Sequence, residues 1–222
     1  MAQIDVVFSS VPFTATGSPL PAPGILKNIA IKAGLSSKAY DMNWEWQKKI
    51  TNHQYGNKIV DFLANETYYP EIETFLLDMF TRISNKILAD NPKHVGLSVF
   101  TYANQIGAKY LAMFMKQKAP NVEIFVGGQG IYNVVGIGDE SNFLKLMRRQ
   151  KLIDRFFTGD AEGDLFDWLK QIGGHEEIEL SFDDNLFINF DDYAKDYNTL
   201  PLVGSRGCVR KCKFCSDIVR WQ

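Results

Sequence analysis

A chain of 222 residues, 45% of them hydrophobic, is ample for one packed domain with an extension and short for two full ones. A formal net charge of −2, with both signs spread along the sequence, gives no field suited to nucleic acid or an anionic membrane surface. No apolar run approaches the ~20 residues of a membrane span, and Met1-Ala2-Gln3-Ile4-Asp5 places no basic segment ahead of an apolar stretch, so the expected compartment is the cytoplasm.

Strand and helix signals alternate along the chain. Residues 4–8 are a short apolar run, followed by a Ser/Pro/Gly-rich stretch that ends at Pro23-Gly24. Ile25, Leu26, Ile29, Ala30 and Ala33 fall at helical spacing, with Gly34 placed to cap the helix. Residues 36–40 suit a second strand, closed by Asp41. Residues 44–69 are rich in Trp, Asn and Tyr and show helical character only around Ile59, Phe62 and Leu63. The next helix is the clearest. Pro70 suits its first turn, and Ile72, Phe75, Leu76, Met79, Phe80, Ile83 and Ile87 form one stripe that Asn91-Pro92 ends.

Residues 95–100 read as a third strand and residues 103–118 as a further helix. Pro120-Asn121 turns into a fourth strand, residues 122–126, which runs into Gly127-Gly128-Gln129-Gly130. A helix around residues 141–150, a short strand over 155–158 and a last helix over 162–172 complete the series, ending at Gly173-Gly174. This alternation predicts an α/β fold, a doubly wound (flavodoxin- or Rossmann-like) parallel sheet covering residues 1–174. Residues 175–200 are expected to be a polar linker, with the acidic pairs Asp183-Asp184 and Asp191-Asp192 on a solvated face.

The chain has three cysteines, all within eight consecutive residues: Cys208-Val-Arg-Lys-Cys212-Lys-Phe-Cys215. An odd cluster points to metal rather than to a disulfide scaffold. Thiolate is the soft ligand that both zinc and iron-sulfur clusters select. A structural zinc site wants four protein ligands; there is no fourth cysteine, and His175, the nearest histidine, is far upstream. A four-iron four-sulfur cluster on three cysteines keeps one iron open for a substrate or cofactor. Arg206, Arg210, Lys211 and Lys213 would offset the negative charge of such a cluster. The plainer readings are a zinc knuckle short of a ligand, or three free cysteines.

The run Gly204-Ser205-Arg206-Gly207-Cys208-Val-Arg-Lys-Cys212-Lys-Phe214-Cys215 resembles the cluster-binding loop of radical S-adenosylmethionine enzymes. The resemblance implies that Cys208, Cys212 and Cys215 ligate a 4Fe-4S cluster whose open iron is chelated by S-adenosylmethionine. One electron from the cluster would then cleave the sulfonium to give a 5′-deoxyadenosyl radical, with Phe214 near the adenine. It also implies an electron donor such as flavodoxin or ferredoxin.

The resemblance extends upstream. Pro23-Gly24-Ile25-Leu26, Asp41-Met-Asn43, Val95-Gly-Leu-Ser98-Val-Phe100-Thr101, Val126-Gly127-Gly128 and Thr158-Gly159-Asp-Ala-Glu162 stand in the order seen in radical enzymes with a cobalamin-binding domain. By that likeness, residues 1–174 are a cobalamin-binding-type domain, and residues 201–222 begin a partial (β/α) barrel that is truncated after its cluster loop. Ser98, Phe100, Thr101, Gly127, Gly128 and Gly159 are then the candidate cobalamin contacts. The carboxyl ends of the third and fourth strands are where open α/β sheets bind ligands, and glycine there admits a large flat cofactor. The plainer reading of the glycine pair is a tight strand-to-loop turn.

Three departures mark the chain. Ser9-Ser-Val-Pro-Phe13 stands where relatives carry Asp-x-His-x-x-Gly, so cobalamin would be held without a protein imidazole. Gln129-Gly130 follows the glycine pair where relatives often carry a histidine, and Gly-Asp-Ala-Glu replaces Gly-Glu-Gly-Glu. A nicotinamide fingerprint is set aside, because Gly128-x-Gly130-x-x-Asn133 follows the fourth strand and lacks the final glycine. His53, His94 and His175 are scattered and expected to be structural or exposed.

The leading expectation is the N-terminal segment of a radical enzyme, methyltransferases among its relatives, either truncated or completed by a second chain that carries the barrel. One rival is a cobalamin or small-ligand binding module with a remnant cysteine tail. Another is a radical enzyme whose N-terminal domain binds no cobalamin and instead docks partners or shapes the substrate entrance. A methylthiotransferase fits less well, since those carry further cysteines in the N-terminal domain.

Overall fold

The computed structural model describes residues 3–132, 141–158, 161–175, 177–181 and 187–202. Five strands form one parallel sheet: β1 Ile4–Ser10, β2 Ser37–Tyr40, β3 Pro92–Ser98, β4 Glu123–Gly127 and β5 Arg155–Phe157, in the order β2-β1-β3-β4-β5. That order is the flavodoxin-like doubly wound arrangement. Helices α1 Ala22–Lys32 and α7 Ala161–Gly173 cover one face; α2 Met42–Thr51, α3 Gly56–Asn65, α4 Glu73–Leu88, α5 Gln105–Lys118 and α6 Asn142–Arg149 contribute to the other.

Period-two alternation divides each strand between two cores. Val7, Val95, Leu97, Ile124 and Val126 point into the larger core, with the α4 stripe of Leu76, Met79, Phe80, Ile83 and Ile87. Val6, Phe8 and Phe125 point into the smaller one, against Ile25 and Ile29 of α1 and Leu165, Trp168 and Leu169 of α7. In register across this second face run Ala39, Phe8, Gly96 and Phe125. Gly96 is required there, because a Cβ on it would lie 2.6 Å from the Phe125 ring and 2.8 Å from Phe8. Its absence lets the two rings meet edge to face at 5.8 Å.

The stretch over 44–69 resolves into α2 and α3. Asp41 caps α2, accepting from the Trp44 amide at 3.1 Å, and Met42, Trp46 and Ile50 are its buried face. Strand β3 starts earlier than the apolar run predicts, at Pro92, since proline is tolerated at a strand's first residue. It also ends earlier, at Ser98, so Val99 and Phe100 belong to the loop.

Past α7 the chain stays on the domain. The ends of α7 and α1 meet at the amino edge of the sheet, where Gly173 packs against the Ala33 carbonyl and His175 lies on Gly34. Ile178, Leu180 and Ile188 then pack against the α1/α7 core. Residues 189–196 reach the opposite edge and bond to the starts of α1 and α2. This stretch, expected as a polar linker with solvated acids, is held by Tyr193, which is 3% exposed, and by Asp192, which pairs with the buried Lys27 at 2.6 Å. Asp191 alone of that acidic pair is exposed. Asp183-Asp184 and the whole of 203–222 lie outside the described residues.

Candidate functional site

β1 feeds α1 on one face of the sheet and β3 feeds α5 on the other, so their carboxyl ends diverge and leave a crevice between the two loops. The loop after β1 is clamped from both sides. Asn43 pairs twice with the Thr14 backbone, its Oδ1 accepting from the amide at 2.7 Å and its Nδ2 donating to the carbonyl at 2.9 Å. Asn104, fully buried, reaches across from the β3 loop: its Nδ2 donates to the Val11 carbonyl at 3.1 Å, and its Oδ1 accepts from Thr14 Oγ1 at 3.0 Å. The same oxygen accepts the Thr101 amide at 2.9 Å. Asn104 therefore ties the two loops together at the switch point, a role no sequence pattern marks.

Asp41 completes the clamp. Its carboxylate accepts from Ser10 Oγ, the Leu20 amide and the Trp44 amide. Burial pushes its acidity toward the neutral form, against the pull of those three donors. The motif Asp41-Met-Asn43 thus holds the β1 loop in place, and it presents no free carboxylate to a ligand.

The candidate contacts at the edge separate into two kinds. Ser98 and Gly127 are half-buried partners in register, and Phe100 beyond them is 47% exposed. A Cβ on Gly127 would meet the Phe157 carbonyl at 3.5 Å and Phe157 Cβ at 3.8 Å, ordinary van der Waals contact, so a small side chain could be accommodated here. Gly128 is different. It has φ +102°, and a Cβ there would lie 2.6 Å from the Val99 carbonyl. That same carbonyl accepts the Gly130 amide at 2.9 Å, and Gln105 Nε2 donates to the Gly130 carbonyl at 2.7 Å. Gly128 and Gly130 serve the close packing of two loops of the chain itself, and Thr101 is engaged in capping its own turn. Ser98, Gly127 and the exposed Phe100 lie outside that packing, as a shelf at the carboxyl edge of the sheet. Beside it, Phe13, Ala15, Val60, Leu63 and Ala103 line a shallow apolar cavity of about 260 Å³.

No histidine reaches this edge among the described residues. The His53 ring packs on Phe75 at 4.7 Å, His94 lies in the amino-edge half of β3 with its ring 5.1 Å from Trp168, and His175 lies on Gly34. Burial holds His94 below the usual imidazole range. Among the described residues, no three His, Cys, Asp or Glu side chains are grouped to hold a metal. Cys208, Cys212, Cys215, Phe214 and Gly159 lie outside the described residues.

No family model matches the chain, and no curated protein does. Among solved structures, it is similar to TubZ of Clostridium botulinum phage c-st, at 14% identity and TM-score 0.38, over 76% of this chain and 56% of that one. It is also similar to O-ureido-L-serine synthase, at 12% identity and TM-score 0.27, over 72% of this chain and 58% of that one. The chain thus spans less than two thirds of either. No helix among the described residues is long and apolar enough to cross a membrane.

Proposed function

We propose that this chain is the N-terminal segment of a radical S-adenosylmethionine enzyme, with Cys208, Cys212 and Cys215 as ligands of a 4Fe-4S cluster. The observation that carries the reading is the spacing of the three cysteines in Ser205-Arg206-Gly207-Cys208-Val-Arg-Lys-Cys212-Lys-Phe214-Cys215. Three soft thiolates in one short loop, without a fourth, match a cluster with one open iron better than tetrahedral zinc. The doubly wound domain ahead of the loop supports the reading, since a sheet of this kind precedes the cluster loop in the enzymes it resembles.

The cluster, when bound, supplies one electron to the sulfonium of S-adenosylmethionine. The chain's own part is to hold it: thiolates at three irons, and Arg206, Arg210, Lys211 and Lys213 to balance the charge. Phe214 offers the adenine an aromatic face. An acidic flavodoxin or ferredoxin is the expected electron source.

Anaerobic reconstitution with iron and sulfide tests this. A broad brown absorbance is expected, lost in Cys208→Ala, Cys212→Ala or Cys215→Ala. A colourless protein, or one that takes up zinc alone, overturns it.

For cobalamin, the supporting observation is the exposed Phe100 near Ser98 and Gly127 at the carboxyl edge, and with His53, His94 and His175 all elsewhere it would be held without a protein imidazole. Titration followed by the visible spectrum of cobalamin separates the two versions of the enzyme. Iron uptake without any cobalamin shift favours a radical enzyme whose N-terminal domain docks partners or shapes the substrate entrance. A cobalamin shift without iron identifies the binding module.

A further inference from the structure

The segment after α7 makes more polar contacts with the domain than its composition suggests, and these gather in one place. The Asn189 amide donates to the Gly24 carbonyl at 3.2 Å, and the Gly24 amide donates to Tyr193 Oη at 3.0 Å. Tyr193 Oη in turn donates to the Leu20 carbonyl at 2.7 Å. Asp192 Oδ2 takes Lys27 Nζ at 2.6 Å and the Ala39 amide at 3.0 Å, and Asp196 takes Trp44 Nε1 at 2.8 Å. Leu20, Gly24, Trp44 and the last residues of β2 all belong to the carboxyl edge of the sheet.

Gly24 is the seat of this contact. A Cβ on it would lie 2.7 Å from the Asn189 carbonyl and 2.8 Å from Ile188 Cγ2. Within α1 a glycine costs about 1 kcal/mol against alanine, and the close approach of residues 188–189 is what it permits. The Pro23-Gly24 pair therefore has a structural use that neither cluster nor cofactor chemistry supplies.

The geometry changes where the cysteines start from. A free chain leaving α7 would begin at the amino edge, about 34 residues before Cys208, and wander over roughly 30 Å. Held as far as Asp196, it begins at the carboxyl edge with about 12 residues left, a root-mean-square reach of roughly 20 Å. Shortening the tether and moving its origin raise the effective concentration of the cysteine segment at the crevice.

We propose that residues 187–197 are a docking strap that anchors the chain at the carboxyl edge of the sheet, so that the tether to the cysteines starts there, with Gly24, Tyr193 and Asp192 as its positioning residues. The strap stands whether or not the cysteines hold iron, so its test uses none. In the full chain with Cys208, Cys212 and Cys215 changed to Ser, nitroxides are placed at Asp191→Cys within the strap and at Tyr102→Cys, both exposed in the native chain. Pulsed dipolar spectroscopy is expected to give one narrow distance, and Gly24→Ala to broaden it while far-UV circular dichroism keeps the helical signal. Trypsin cleavage after Lys195 should rise at least tenfold in the same variant. Tyr193→Phe keeps the ring and removes only its two hydrogen bonds, so it decides the matter if Gly24→Ala unfolds the domain; a severalfold rise in the same cleavage is expected. A broad distance in the parent overturns the strap, as does an unchanged distance and cleavage rate in folded Gly24→Ala or in Tyr193→Phe.

Discussion

Tyr193 and Gly24 lie 169 positions apart in sequence, and the phenol oxygen of one accepts the amide of the other at 3.0 Å inside the protein. Burial raises the Tyr193 phenol far above its usual range, so it remains a donor to Leu20 at any working pH. Removing the hydroxyl leaves one buried donor and one buried acceptor unsatisfied, each worth about 1–3 kcal/mol. Tyr193→Phe is therefore expected to speed hydrogen exchange at the Gly24 amide by tenfold or more, measured by NMR or mass spectrometry on the native protein.

Gly96 makes a sharper test of packing. Gly96→Ala forces a methyl between the Phe8 and Phe125 rings and is expected to lower stability by about 1–3 kcal/mol in urea unfolding. Phe125→Leu alone loses ring contacts with Phe8, Phe157 and Trp168. In the double variant the new methyl meets a smaller neighbour, so the two costs should sum to less than their separate values. Strict additivity would place the cost of the methyl elsewhere.

The two neighbouring glycines of the β4 loop should behave oppositely. Gly127→Ala adds a methyl in ordinary van der Waals contact with Phe157, in a strand conformation, so its stability should stay within about 0.5 kcal/mol of the parent. Gly128→Ala combines a positive φ with a clash on the Val99 carbonyl and is expected to cost about 2 kcal/mol or more. A ligand laid on the shelf would be weakened by Gly127→Ala while the fold stays intact, and thermal unfolding beside a ligand titration reads both effects.

Asp5 sets a pH dependence at the other edge. Burial alone would raise its carboxyl, but the hydrogen bonds from Lys93 and Ser36 outweigh that and hold it down at about 2. A depressed acid stabilises the fold above its unfolded value near 4 and loses that contribution as the pH falls toward 2. Asp5→Asn should thus cost about 1 kcal/mol at pH 7, after allowance for solvent screening at this partly exposed site. The difference from the parent should vanish as both approach pH 2 in denaturant titrations.

The strands and the long α4 helix are legible in the sequence because their patterns are local: short apolar runs in β1, β3 and β4, and a stripe at helical spacing from Ile72 to Ile87. Over 44–69 the apolar positions Met42, Trp46 and Ile50 do repeat every four residues, but Gln47, Lys48 and Lys49 dilute a helix of 10 residues. Asn104 and Asn43 could not be singled out, since each acts through backbone partners up to 93 positions away. For the glycine pair, the sequence left open a cofactor shelf and a tight turn. Gly127 has room for a side chain against Phe157, and Gly128 has the positive φ and close packing of the tight turn. The strap was least legible of all, because a polar stretch with one buried tyrosine has the composition of a solvated connection.

Asp192 has one further consequence. β2 bonds to β1 on one side and forms a margin of the sheet, and its Ala39 amide donates to the Asp192 carboxylate. An uncovered margin of this kind recruits strands from other molecules and seeds aggregation. With a carboxylate in place of a foreign carbonyl at Ala39, β2 offers one amide fewer to an incoming strand. Peeling back residues 189–196 would expose a sticky rim, so self-association at high concentration should accompany loss of the Tyr193 anchor.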